Sequence, residues 1–118
     1  MAVKNFKDLR AYQKAFSAAL EVHKISLTFP EIERYSLADQ MRRASKSICA
    51  NIAEGFGKQT QSRNEFNRYL NIAIGSANEM CVWIDFCKEF KYIDHNEAEK
   101  MLDDFDHIAK MLNKLRNV

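Results

Sequence analysis

Proline and glycine are nearly missing from this chain, with one proline and three glycines in 118 residues. A β-sandwich or barrel needs many such residues at its turns, so their scarcity points instead to a few long helices with short joints. No apolar run approaches the roughly 18 residues of a membrane-crossing helix. Residues 1–7 hold no apolar stretch of the secretory kind. Cysteine is both scarce and odd in number: Cys49, Cys81 and Cys87. An odd count without a leader predicts reduced thiols in a soluble, cytoplasmic protein. Cys81 and Cys87 stand six apart on one predicted helix, a spacing too poorly aligned to pair or chelate, so all three are expected as buried thiols.

Chemistry-bearing patterns are absent too. His23, His95 and His107 are far apart, and no Glu-x-x-His pair suggests a di-iron bundle. His23 falls on the stripe of the first helix and is expected in the core. His95 with Glu99, and His107 with Asp103, are single i,i+4 pairs on a charged, solvated stretch. Gly55-Phe56-Gly57-Lys58 lacks the spacing of a phosphate-binding loop and follows a helix rather than a strand. No catalytic residue, cofactor, metal or small-molecule substrate is therefore expected.

What the chain has in quantity is helical periodicity. Its 47% hydrophobic and 29% charged residues suit one globular domain over 1–118. Four motifs, Asn5-x-x-Asp8, Ser36-x-x-Asp39, Ser62-x-x-Glu65 and Asp94-x-x-Glu97, each place a capping side chain three residues before an acid. That spacing satisfies free amides at a helix start, and the acid meets the positive end of the helix dipole. Each motif opens onto a run of 3.6-residue period. The spacing predicts helices over about 6–28, 37–54, 63–90 and 95–116. Connections of about four to eight residues then favour an antiparallel, up-down-up-down four-helix bundle. The inward stripes are Leu9, Tyr12, Phe16, Ala19, Leu20, His23 and Leu27 on the first helix and Leu37, Met41, Ala44, Ile48, Asn51 and Ile52 on the second. Phe66, Leu70, Ala73, Ala77, Met80, Ile84 and Cys87 follow on the third. The fourth presents Ala98, Met101, Leu102, Phe105, Ile108, Leu112 and Leu115. Pro30 ends the first helix, and Gly55 caps the second.

Two features exceed a generic bundle. The third helix carries a second apolar set, Tyr69, Ile72, Ile74, Trp83, Phe86 and Phe90, outside its main stripe. A helix hydrophobic beyond one stripe is usually covered on more than one side, so Tyr69, Ile72, Trp83, Phe86 and Phe90 are candidates for contact between subunits. The other reading is a wide core with scattered exposed aromatics. Small residues also sit mid-helix, at 50–53 and 73–77. Gly75 gives up about 1 kcal/mol of helix propensity against alanine, which suggests a close approach of the second and third helices there. Asn51 falls on the apolar face and needs partners, for which Ser76 or Asn78 is in reach.

The segment 35–55, YSLADQMRRASKSICANIAEG, carries a recognisable pattern in Tyr35, Leu37, Gln40, Arg42, Arg43, Ala44, Ser47, Ile48, Asn51, Ile52, Ala53, Glu54 and Gly55. A second block follows in Phe66, Tyr69, Leu70, Ala73, Gly75, Ser76, Ala77 and Glu79, and Asn5 to Leu9 with Phe29-Pro30 fits the opening. In these residues the chain resembles the four-helix-bundle proteins encoded in intervening sequences of bacterial 23S rRNA genes. The resemblance marks Gln40, Asn51, Glu54, Gly55, Gly75 and Ser76 as structural positions. Such proteins are similar to the accessory protein of diversity-generating retroelements, a pentameric barrel that is basic, binds nucleic acid and partners a reverse transcriptase. The resemblance thus implies self-association, as a pentamer. This chain, at +2, lacks the strong basicity of that relative.

Charge is unevenly spread. From 34 to 68 seven bases face three acids, a surplus of four; from 79 onward nine acids face six bases, a deficit of three. Arg42, Arg43, Lys46, Lys58, Arg63 and Arg68 could contact the phosphates of structured RNA or DNA, aided by the amides at the start of the third helix. Alternatively Arg42 or Arg43 pairs internally with Asp39, Glu54 or Glu79, Arg43 being the more structural by its place beside core Ala44. Glu54, at the unfavourable end of the helix dipole, is expected to hold a basic partner.

Overall fold

The computed structural model describes residues 3–116. Four helices follow in order: α1 (Arg10–Ser26), α2 (Leu37–Lys58), α3 (Arg63–Glu89) and α4 (His95–Arg116). Short 3-10 turns at Phe6–Asp8 and Glu31–Glu33 precede α1 and α2. At about 1.5 Å per residue, α3 alone accounts for most of the 44 Å length of the molecule. Each helix packs on two neighbours around a square, α2 on α3 most extensively and α1 on α4 least. Cross-helix contacts run in opposite chain order: Ser47 meets Ser76 while Gly55 packs on Tyr69, Lys88 meets Glu99 while Arg63 meets Leu115, and Lys14 meets Asp104 while Glu21 meets Lys100. Arg42 reaches Ser26 across the short α1–α2 connection. The result is the expected antiparallel all-α bundle.

The helix starts are less uniform than the four motifs predict. Ser62 Oγ accepts from the Glu65 amide at 3.0 Å, and Asp94 Oδ1 from the Glu97 amide at 2.7 Å, as read. Asn5 instead caps the 3-10 turn, accepting from Lys7 N at 2.9 Å, and α1 begins only at Arg10 after extended Leu9. Ser36 makes no side-chain cap; Glu33 Oε1, from the preceding turn, accepts from the Leu37 amide at 3.3 Å. At the end of α3, Lys91 adopts a left-handed conformation (φ 62°), and Tyr92 N donates back to Cys87 O at 2.9 Å. This closes the helix as a glycine usually does.

The largest correction concerns α1. The residues it sends into the core are Ala11, Ala15, Ala18, Val22 and Ser26, one step around from the expected stripe. Phe16, Leu20 and Leu27 are about half or more exposed, and His23 is exposed rather than buried. Periodicity identified a helix correctly but chose the bulkier of two apolar stripes. Small side chains let α1 lie close against a core already filled by Met41, Ile48, Ile52, Leu70, Met80, Ile84, Phe105 and Leu112.

Gly55 is not a helix cap either. It lies buried inside α2, three residues before the helix ends at Lys58, with no positive φ. A Cβ there would meet Tyr69 Cβ at 2.8 Å and Phe66 Cδ1 at 3.1 Å, so α3 presses tightly on α2 at this point. Gly75, expected to mark that approach, is exposed with nothing within 4 Å of where its Cβ would stand.

Candidate functional surfaces

Because α1 turns its large residues away from the core, a groove of about 620 Å³ opens between α1 and α2. Phe6, Tyr12, Phe16 and Leu20 form one wall, while Cys49, Ala50 and Ala53 of α2 form the floor and the other wall. Tyr12 stacks on Phe16 at 6.0 Å, and Phe6 meets Tyr12 edge-on at 4.9 Å. The only charged or titratable lining groups besides Tyr12 and the Cys49 thiol are His23 and Lys46, so the rim is basic. Burial pushes the Cys49 thiol up to about 11, which keeps it protonated and poorly nucleophilic near neutral pH. Cys87 is pushed up to about 12, chiefly by burial and then by Glu33, and Cys81 rises through burial with help from Asp106 and Asp85.

The neighbouring side of the bundle, between α2 and α3, carries the apolar set anticipated from sequence. Ile72, Phe86 and Phe90 are exposed, Trp83 is half-buried, and Tyr69 is partly covered where it packs on Gly55. Trp83, Phe86, Phe90, Tyr92 and Phe29 form a continuous aromatic line with centroid spacings of 6.2, 5.8, 5.5 and 5.3 Å. Its far end is pinned by Tyr92 Oη donating to Glu33 Oε2 at 2.8 Å. That hydrogen bond raises the Tyr92 phenol above its ordinary range. Trp83 Nε1 donates to Glu79 Oε2 at 2.9 Å, which orients the indole along the ridge. Lower on this side, Asn51 Nδ2 donates to Ser47 O (2.8 Å) and Ser47 Oγ (3.1 Å), and Ser76 Oγ donates to Ser47 Oγ (3.1 Å). Asn51 is therefore satisfied within α2, with Ser76 joining through Ser47 rather than directly. Gln40, at the start of the same stripe, and Asn78 are exposed.

The six cations divide between surfaces and roles. Arg42 is the structural arginine: its guanidinium donates to Ser26 Oγ and to the Arg34 carbonyl, both at 2.9 Å, closing the α1–α2 connection. Arg43, expected in that part, lies on the surface and pairs with Asp39 at 3.0 Å. Lys46 faces the groove. Arg63 donates to the Leu115 carbonyl and lies 5.0 Å over the Phe66 ring, tying the start of α3 to the end of α4. Arg68 pairs with Glu65 at 3.4 Å and lies over Tyr69 at 5.0 Å. Lys58 ends α2, about 24 Å along the axis from Arg42 at 1.5 Å per residue. Glu54 is exposed and, among the described residues, forms no ion pair. Nor do the described residues gather three or more His, Cys, Asp or Glu side chains able to hold a metal. None of the described helices is long and apolar enough to cross a membrane.

The family profile described as "23S rRNA-intervening sequence protein" matches residues 7–114. Among solved structures, the chain is similar to a protein of unknown function from the S23 ribosomal protein family of Bacteroides thetaiotaomicron. The TM-score is 0.83 at 28% identity, over 95% of this chain and 99% of that one. No curated protein matches the chain.

Proposed function

Since this chain belongs to the 23S rRNA-intervening sequence protein family, we propose that it works as a homo-oligomeric four-helix-bundle scaffold, built of five copies, whose task is binding and not catalysis. The observation that carries this reading is the pair of uncovered apolar sides flanking α2. Phe16 and Leu20 on one, and Ile72, Phe86 and Phe90 on the other, are each 45–52% exposed. Contiguous apolar surface of this kind marks contact sites on proteins that otherwise cover it. Light scattering on the purified protein is expected to give about five times the 13.7 kDa chain mass. A mass of one chain at all concentrations would overturn the proposal.

A second reading, binding of structured RNA or DNA, draws support from one shared surface. Arg43, Ser47, Asn51, Glu54 and Lys58 recur at helical spacing on the edge of α2 that meets α3, with Arg68 across from them. Gel shifts with structured RNA across a salt series test it. Phosphate contacts make affinity fall steeply with salt, and Arg43→Ala with Lys58→Ala flattens that slope. No shift at low salt rejects this reading.

A further inference from the structure

We propose that the end of the bundle where α1 passes into α2 is a binding site for a small carboxylate with an aromatic or branched aliphatic body. The site shares no lining residue with the groove between α1 and α2, and it stands apart from the scaffold reading.

A cavity of about 550 Å³ lies at this end, a size that suits a small organic ligand. Its polar wall is fixed in place. Ser26, only 4% exposed, donates from Oγ to the His23 carbonyl at 2.8 Å and accepts from Arg42 Nη1 at 2.9 Å. Arg42 Nη2 in turn holds the Arg34 carbonyl, so one guanidinium ties the end of α1 to the turn before α2. That turn is itself hydrogen-bonded, Glu33 N donating to Pro30 O at 2.9 Å and Arg34 N to Glu31 O at 3.0 Å. A wall already ordered loses little freedom when a ligand arrives.

Charge at this wall is unbalanced. Arg42 is half-buried, yet among the described residues it forms no ion pair, and both of its hydrogen bonds go to neutral oxygens. A guanidinium drawn partly out of water without a counter-charge favours an anion beside it. Further N–H donors remain on Arg42 to hold one. Arg34 lines the same cavity, likewise without an ion pair among the described residues. Its guanidinium lies 6.0 Å from the centre of the Tyr35 ring. The forked donors of an arginine match the two oxygens of a carboxylate.

Two features choose among anions. Glu31 is the one acid among the described lining residues, so two arginines against one carboxylate leave a surplus of one positive charge. That surplus balances a singly charged carboxylate, whereas the second charge of a phosphate would face Glu31 uncompensated. The rest of the lining is apolar: Leu27, Phe29 and the ring of Tyr35. Leu27 is 68% and Tyr35 84% exposed, surface that an inorganic ion leaves bare and a hydrocarbon body covers.

The probe is 3-phenylpropionate, with 3-phenylpropionamide as its neutral counterpart, and saturation-transfer NMR on the full chain reads binding. The acid is expected to bind saturably and the amide at least about tenfold more weakly, the loss that follows when charged hydrogen bonds go. Arg34→Gln should weaken the acid by about the same factor with an unchanged far-UV circular dichroism spectrum, because no described hydrogen bond of the fold uses the Arg34 side chain. Glu31→Gln should turn inorganic phosphate from a poor competitor of the probe into an effective one, a change in selectivity that loss of structure would not produce. Absence of saturable binding overturns the proposal. So do equal binding of acid and amide, an undiminished Arg34→Gln, or phosphate that displaces the probe from the wild type as readily as unlabelled acid does. Light scattering reads the scaffold proposal separately, so either can fail alone.

Discussion

The two edges of α2 make opposite use of small residues. Against α3, Gly55 removes its side chain so that Tyr69 and Phe66 can press onto the backbone, and the space is filled. Against α1, Ala50 and Ala53 are equally small, yet the aromatics opposite them lean outward and the space stays open. A small residue on a helix thus marks either a closed seam or a vacant one. Which of the two arises depends on where the partner helix aims its bulk.

That contrast can be broken at several depths. The largest effect belongs to the closed side: Ile48→Ala, fully buried, is expected to lower unfolding free energy by about 2–5 kcal/mol. Leu20→Ala on the open side should change the monomer's stability far less, and chemical denaturation of both reads the difference. Equal losses would mean that the groove is filled in the free chain. Next come the glycines. Gly55→Ala forces backbone and Tyr69 apart and should destabilise by about 1–3 kcal/mol despite its gain in helix propensity. Gly75→Ala meets nothing and should stabilise by about 1 kcal/mol. Opposite signs in thermal melts are the expected result. At the helix starts, Ser62→Ala should cost about 1 kcal/mol, whereas Ser36→Ala, which removes no cap, should leave the melting temperature nearly unmoved.

The smallest effect is electrostatic. Lys88 donates to Glu99 and holds its carboxyl below the ordinary glutamate range. A depressed carboxyl stabilises the fold above its unfolded pKa, and the contribution fades as pH falls through the folded value. Both groups are exposed, so the effect on stability is slight. In Lys88→Ala, Glu99 should titrate at higher pH by carboxyl-carbon NMR. An unshifted Glu99 would show that the pair does not persist in solution.

Much of this molecule was legible from its residues. Helix number, the inward stripes of α2, α3 and α4, and the exposed set on α3 all follow from a 3.6-residue period in which one stripe is plainly the more apolar. On α1 that rule misleads. Ala11, Ala15, Ala18 and Val22 form a paler stripe beside Tyr12, Phe16 and Leu20, and no feature within the helix says that its neighbours have already filled the core. Gly55 took the close approach expected of Gly75. Gly75 stands two residues from each of the buried Ala73 and Ala77 and so faces solvent, whereas Gly55 stands three residues after buried Ile52 and faces α3. Arg42 and Arg43 are adjacent in sequence but point to different sides of α2, so their division of labour depends on where α1 ends. The Glu33 carboxylate that serves α2 in place of Ser36 lies in a 3-10 turn that periodicity does not register.

The thin attachment of α1 has one more consequence. It sends three alanines, a valine and a serine inward, and its polar ties to α4 are surface bridges from Lys14 and Lys100. A rod fastened by so little buried area is the first to lift away, and its amides should trade protons for deuterons soonest in an isolated subunit. Any partner lying across its outer flank would slow that exchange, supplying the cover that the helix lacks in a lone bundle.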